Sequence, residues 1–177
     1  MKIIVVSDIH GRYERLLSVM DMHKDADALV FLGDGLRELF RADAYSYPFT
    51  VYSVRGNCDV FSVFSGYADG ATDELELNFE GYRFFALHGH TRQVKSSITP
   101  AISEASRRNS DVLLYGHTHI PCETYLPEGT EIGYDTLKKP LYVFNPGSLG
   151  ASGDGKAHFG IIQIRNGNIL FSHGTLE

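Results

Sequence analysis

Five short apolar runs dominate this chain, and each one stops at a glycine beside a polar residue. The run at 3–6 leads into Ser7-Asp8-Ile9-His10-Gly11, and the run at 28–32 into Gly33-Asp34. The run at 51–54 leads into Arg55-Gly56-Asn57, that at 84–87 into His88-Gly89-His90, and that at 112–115 into Gly116-His117-Thr118-His119. Runs this short and this continuously apolar suit strands covered on both faces, because a strand with one wet face alternates instead. Between them, 12–23, 36–41 and 100–109 read as helices. Pro100 suits the first turn of the third, with Thr99 as its N-cap. The early part of the chain is thus a βαβ layout with largely parallel strands.

From about residue 73 the texture changes. Glu74-Leu75-Glu76-Leu77-Asn78-Phe79 alternates strictly, and Glu80-Gly81 turns it into 82–87. The tail repeats the pattern: 158–165, the hairpin turn Asn166-Gly167, then 168–173. Alternation marks half-buried antiparallel strands. Two sheets packed face to face, with helices outside, hold both textures. Segment 126–140 is polar and weakly periodic, and reads as a protruding loop or extended hairpin between two strands. No repeat or linker divides the 177 residues, a length that suits one domain over 1–177.

Composition narrows the function. Lys and Arg number 16 against 22 Asp and Glu, a net charge of -6, and no basic stripe stands out. A dedicated nucleic-acid surface is therefore not expected. Cys58 and Cys122 are too few for a disulfide framework and fit a reducing compartment. The apolar run at 3–6 is too short for a signal peptide, and no stretch reaches the ~18 apolar residues of a membrane span. The expectation is a cytoplasmic protein without membrane contact.

Each run delivers Asp, His or Asn at its carboxyl end, the edge where open α/β sheets bind ligands. Pooled, these are Asp8, His10, Asp34, Asn57, His88, His117 and His119. All are metal-ligand types, with no Lys or Arg among them. Asp8 and His10, like His117 and His119, stand two apart, and in extended backbone such pairs point the same way. Imidazole, carboxylate and amide together suit Mn, Fe, Zn, Co or Ni over Ca or a thiolate-loving ion. Seven donors exceed one tetrahedral site and suit two metals about 3.5–4 Å apart that share a carboxylate. Such a pair attracts a phosphate oxyanion and activates water near neutral pH. Singly, each residue has a bland alternative: His10 as a satisfied core histidine, Asp34 as a turn or helix cap, Asn57 as a turn cap. Gathered at one edge, they favour a metal site.

Asp8-Ile9-His10, Gly33-Asp34, Gly56-Asn57, His88-Gly89 and Gly116-His117-Thr118-His119, in this order, resemble the calcineurin-like metallophosphoesterases. The short chain and the Asn145-Pro146-Gly147-Ser148 turn resemble its small prokaryotic YfcE-type phosphodiesterase branch. The resemblance implies an α/β fold, a four-layer αββα sandwich with two central mixed β-sheets. It implies one metal on Asp8, His10, Asp34 and His119, and a second on Asp34, Asn57, His88 and His117, with Asp34 bridging. Mn2+ is the expected ion, with Ni2+, Co2+, Zn2+ and Fe2+ as alternatives. It further implies a bridging hydroxide that attacks phosphorus in line, with Asp34, Asn57 and His117 as catalytic residues. Asn57, His90 and Arg12 are the substrate-contact candidates, for a small phosphodiester. The alternative is a catalytically weak protein-binding scaffold of the same fold. Homo-oligomerisation stays open, with 126–140 as the candidate contact.

One departure matters. Many superfamily members place His after the Asn, where this chain has Asn57-Cys58-Asp59. Cys58 reads as a small buried thiol, a poor substitute for imidazole as a general acid at neutral pH. Arg55 could touch substrate or pair with a surface acid. His23, His158 and His173 lie outside the motifs. The segment from Gly150 to Lys156 mimics a P-loop opening, but Ala157 removes the magnesium-binding hydroxyl and a strand follows, so a turn is expected there.

Overall fold

The computed structural model describes residues 1–59 and 71–176. Its strands are β1 (Lys2–Val6), β2 (Ala28–Phe31), β3 (Thr50–Ser53), β4 (Glu74–Phe79), β5 (Tyr82–Leu87), β6 (Val112–Tyr115), β7 (Cys122–Leu126), β8 (Glu131–Ile132), β9 (Asp135–Thr136), β10 (Leu141–Asn145), β11 (Ala157–Arg165) and β12 (Asn168–Leu176). Three α-helices accompany them among the described residues: α1 (Tyr13–Met22), α2 (Leu36–Arg41) and α3 (Thr99–Arg107).

One sheet has the order β12-β11-β1-β2-β3 and the other β4-β5-β6-β10-β7. The centre of each is parallel, β1 with β2 and β2 with β3, β5 with β6 and β6 with β10. The margins are antiparallel hairpins, β11 with β12 and β4 with β5. Four of the continuous apolar runs became the buried strands β1, β2, β5 and β6, and the alternating segments became hairpins. The run at 51–54 is corrected, since β3 is an edge strand and only partly buried, with no neighbour on its far side among the described residues.

Alternate residues of the central strands enter different cores. Ile4, Val6, Leu29 and Phe31 pack under α1 and α2 with Leu16, Val19 and Leu39. Ile3, Val5, Ala28 and Val30 pack between the sheets against Phe84, Val112, Leu114 and Phe144. On the far side, Phe85, Leu87, Leu113 and Tyr115 meet Ala101, Ile102 and Ala105 of α3. Both faces of each central strand are therefore dry, which is why these runs do not alternate. The result is two mixed sheets with flanking helices, helix–sheet–sheet–helix. A fully buried side chain such as Phe84 contributes about 1.5–3 kcal/mol through burial alone.

Two local expectations are corrected. Thr99 is not an N-cap: it is the first residue of α3, and its amide donates to Ser97 Oγ at 3.2 Å. Pro100 does lie in the first turn. Segment 126–140 is an extended hairpin with β8 and β9 as a two-stranded tip, but it does not stand free. Ile132 and Leu137 are buried in the α3 core while Tyr134 stays fully exposed; two apolar residues suffice to pin the hairpin down. Among the described residues no helix is long and apolar enough to cross a membrane.

Candidate metal centre

Parallel pairing brings the carboxyl ends of β1, β2, β5 and β6 to one edge, together with the turn after β3. The backbone there is not extended, contrary to the reading of the two-apart pairs. Asp8, His10, Asp34, His117 and His119 have φ of 54°, 45°, 60°, 65° and 62°. Left-handed backbone costs a residue with a side chain roughly 1–2 kcal/mol, so something must offset it. The Asp8 and Ile9 amides donate to the carbonyls of Gly33 and Asp34 at 2.9 and 2.8 Å, and the Gly150 amide donates to the Asp8 carbonyl at 2.9 Å. Each turn is thereby held by its neighbour, and the strain is stored where the donor atoms converge.

Two groups of donors form. In the first, His119 Nε2 and His10 Nε2 lie 3.1 and 3.7 Å from Asp8 Oδ1, and the two ring nitrogens are 3.2 Å apart. In the second, His88 Nε2 lies 3.1 Å from His117 Nδ1, 3.2 Å from Asn57 Oδ1 and 3.5 Å from Asp34 Oδ2. Asp34 Oδ2 is also 3.9 Å from His10 Nε2, so this carboxylate borders both groups. Its other oxygen accepts the Cys58 amide at 2.7 Å. All seven pooled residues therefore meet at one place.

The donor atoms fit a cation. Asp8 Oδ1 is buried and accepts no hydrogen bond, while Oδ2 takes Ser7 Oγ at 2.5 Å and the His117 amide at 3.0 Å. A buried carboxylate oxygen left unpaired is costly unless positive charge meets it. His88 gives its Nδ1–H to the Leu32 carbonyl at 2.7 Å, and His119 gives its own to the Ala151 carbonyl at 2.9 Å. A carbonyl only accepts, so each ring is left with Nε2 facing the cluster, the arrangement of ligating histidines. His88 Nε2, Asn57 Oδ1 and Asp34 Oδ2 are then acceptors facing acceptors.

Titration differs between the groups. Burial pushes the Asp8 carboxyl up, but His10, His119, His88 and Ser7 together outweigh it and hold the group below the usual carboxylate range. The Asp8 carboxylate beside them raises His10 and His119 above an ordinary imidazole, against the effect of burial. His117 is pushed down to about 4, by burial first and then by His88 and Lys95.

The structure revises several neighbours. Cys58 is exposed, not buried: it sits on the short turn Asn57–Asp59 that faces the site, and accepts Asn57 Nδ2 at 3.3 Å. Partial burial and Asp34 push its thiol up to about 11. Arg55 is taken by Asp73 at 2.8 Å. His90 flanks the cluster, its ring centroid 5.4 Å from that of His88, with a buried Nδ1 that finds no partner among the described residues. Burial, then His88, lowers its pKa. Arg12 caps α1 and is exposed, with no side-chain partner among the described residues. The P-loop mimic is a turn running into β11, as expected, and it also supplies the Ala151 carbonyl.

Residues outside the motifs position this centre. The buried Asp59 carboxylate accepts the amides of Asp34 and Gly56 on one oxygen, both at 2.8 Å, and those of Gly35 and Leu36 on the other, both at 2.9 Å. Asn145 donates to the Gly116 carbonyl and to Thr118 Oγ1, both at 3.1 Å. Ser148 donates to the Asp8 carbonyl at 2.8 Å. The Asn145-Pro146-Gly147-Ser148 turn and the acid after Asn57-Cys58 are visible in the chain; nothing in the chain says which amides they receive or carbonyls they bind. Gly56 and Gly116 leave room for these contacts, since a Cβ on either would collide with Asp34 Oδ1 or Ser7 Oγ.

Comparison with known proteins agrees with this geometry. Residues 1–167 match the family model described as the calcineurin-like phosphoesterase superfamily domain. The chain is 28% identical to phosphodiesterase YfcE of Escherichia coli (strain K12) over 190 residues, covering 92% of this chain and 88% of YfcE. It superposes with TM-score 0.73 on a predicted phosphoesterase from Streptococcus pneumoniae TIGR4, at 22% identity over 98% of this chain and 88% of that one. It also superposes with TM-score 0.65 on Entamoeba histolytica Vps29 complexed with zinc, at 17% identity over 99% of each chain. At these identities the two structures speak to the fold alone.

Proposed function

The chain belongs to the calcineurin-like phosphoesterase superfamily, and from that membership we propose that it is a dinuclear metal-dependent phosphodiesterase acting on small phosphodiesters in the cytoplasm. One observation carries the reading: Asp8-His10-His119 and Asp34-His88-His117 are adjacent donor groups, with Asp34 within 4 Å of a histidine of each. In this reading Asp8, His10, Asp34 and His119 hold one ion, and Asp34, Asn57, His88 and His117 the other. When bound, such ions lower the pKa of water and polarise a phosphoryl oxygen. Mn2+ is the proposed metal, with Ni2+, Co2+, Zn2+ and Fe2+ as competitors.

The chain's own groups do the positioning. Asp34, tied through Oδ1 to the Cys58 amide, keeps Oδ2 turned to both histidine groups. His88 and His119, tied through Nδ1, can offer only Nε2. Asn57 and His117 complete the second group, and Arg12 and His90 are proposed to contact substrate. Cys58, with its thiol near 11, is a poor proton donor to a leaving oxygen. Leaving groups that need no proton, such as nitrophenolate, should therefore be favoured, and diesters over dianionic monoesters.

The test is hydrolysis of bis-(p-nitrophenyl) phosphate against p-nitrophenyl phosphate, after chelation and then Mn2+ addition, beside Asp34→Asn. Manganese-dependent diester turnover that disappears in the variant supports the reading. A folded protein that turns over neither ester with any divalent ion overturns it in favour of a binding scaffold, the reading the Vps29-like fold would then favour.

A further inference from the structure

The end of α3 and the hairpin at 126–140 enclose a cleft that the metal centre does not use. Asn109 precedes β6, and Lys138 and Lys139 precede β10, so the cleft lies at the amino ends of these parallel strands. His88 and His117 follow β5 and β6 at the opposite edge of the same sheet. The walls are fixed. Ile132 and Leu137 are buried in the α3 core, and the Leu137 amide donates to the Thr130 carbonyl at 2.9 Å. Lys139 Nζ ties the two walls, donating to the Asn109 carbonyl at 2.6 Å and to Asp111 at 2.8 Å. The cleft holds about 500 Å³, inside the roughly 300–1,000 Å³ range of small-molecule sites.

Its polar lining is left with donors to spare. Ser103 and Ser106 line it from α3 and Thr136 from the hairpin, and none of these hydroxyls makes a hydrogen bond among the described residues. Lys138 likewise pairs with no carboxylate there, and Arg107 shares its one acid, Glu104, with Arg92 and Arg108. Arg107, Lys138 and Lys139 thus border the cleft against a single lining carboxylate, Asp135, in a chain where 22 acids outnumber 16 Lys and Arg. A helix carboxyl end by itself repels an anion. Here the last carbonyls are already occupied: those of Glu104, Ala105 and Ser106 accept the amides of Arg108, Ser110 and Asn109 at 3.1, 3.0 and 3.0 Å.

We infer that this cleft binds a small organic phosphate, with Lys138, Arg107 and the hydroxyls of Ser103, Ser106 and Thr136 donating to its phosphoryl oxygens. Cations and hydroxyls on two facing walls can serve one tetrahedral anion from several directions, which a planar carboxylate uses less fully. The space exceeds what a bare phosphate ion fills, and Ile132 supplies apolar lining for an organic part. The site is separate from the metal centre and does not rest on the phosphodiesterase reading.

The test is an NMR titration of the Zn2+-loaded, 15N-labelled protein with AMP, and with adenosine beside it. AMP should shift the amides of 103–109 and 132–139 along a saturating curve. Lys138→Gln should raise the Kd read from those amides about tenfold, the loss expected for one charge-assisted contact. Ser106→Ala should raise it about threefold, and Lys24→Gln, an exposed lysine beyond α1, should leave it unchanged. Adenosine should bind at least about tenfold more weakly than AMP. Chelating the metal should remove any shifts around His88 and His117 and keep those of the cleft. Shifts confined to the metal centre, or a Kd unmoved in Lys138→Gln or raised equally in Lys24→Gln, overturn the site. Equal binding of adenosine and AMP overturns the recognition of phosphate.

Discussion

The two donor groups of the centre use the same imidazole chemistry under opposite conditions. Asp8, His10 and His119 form a half whose histidine side chains are 27% and 24% exposed, and whose shared carboxylate draws protons onto both rings. Asp34, Asn57, His88 and His117 form a half built around a fully enclosed His88, in which burial pushes His117 down to about 4. A carboxylate bonded to a ring favours its charged form, whereas desolvation and a neighbouring imidazole favour the neutral one. Two histidines separated in sequence only by Thr118 are thus shifted in opposite directions from an ordinary imidazole. The lesson is that the partner atom, not the residue type, sets which ligand must lose a proton before a cation binds.

The largest break in this comparison is at the residue common to both halves. Asp34→Asn should lower Mn2+-dependent diester turnover by about 10³-fold or more while keeping the Cys58 amide contact through its amide oxygen. Wild-type turnover in a well-folded variant would remove Asp34 from the shared position. The pH dependence sharpens the contrast. His10 and His119 hold protons above the ordinary imidazole value, so a cation must displace them, and affinity of that half should fall about tenfold per pH unit for each proton displaced as pH drops through the raised values. His117, pushed down to about 4, should take a cation without losing a proton at pH values where His10 and His119 must each lose one. Calorimetric titrations at several pH values should resolve two slopes, and identical slopes would contradict the division.

A third change tests what holds the second half. Asp59→Asn leaves one oxygen where two had accepted four amides, and should destabilise the fold by about 2–3 kcal/mol, read from denaturant unfolding of the chelated protein. A loss within 0.5 kcal/mol, the typical surface value of about that size, would mean that water replaces the carboxylate. The smallest effect is expected at the mouth. Cys58→His should raise turnover of an alkyl phosphate monoester by a few-fold, short of the roughly 10²–10⁴-fold range of general acid catalysis, because an imidazole can protonate a leaving alkoxide that a thiol near 11 cannot. No gain on monoesters counts against the account of Cys58.

Much of the fold was written in local patterns. The runs at 3–6 and 28–32 could be assigned to doubly covered strands because every residue in them had to be apolar, and Asn166-Gly167 marked its hairpin through turn chemistry alone. The helix start at Thr99 was misplaced because Ser97 and Thr99 carry equivalent hydroxyls, and only the path of the chain decides which one accepts. Cys58 was expected to be buried because cysteine usually is; its place on the Asn57–Asp59 turn turned it outward. Asp59 was legible as the acid after Asn57-Cys58, but its task was not, since the four amides it accepts come together only in the fold.

The sequence by itself determined which side chains would gather. Parallel strands of like length must end together, so Asp8 and Asp34 share the edge of one sheet and His88 and His117 that of the other, while the packing of the sheets brings the two edges together. Tertiary structure alone decided how they meet. The left-handed turns, the carbonyls of Leu32 and Ala151 that orient two rings, and the orphaned Asp8 oxygen all depend on contacts between segments far apart in the chain. Periodicity reports the faces a strand must bury; the direction of a lone pair is set by whichever distant carbonyl takes the opposite proton.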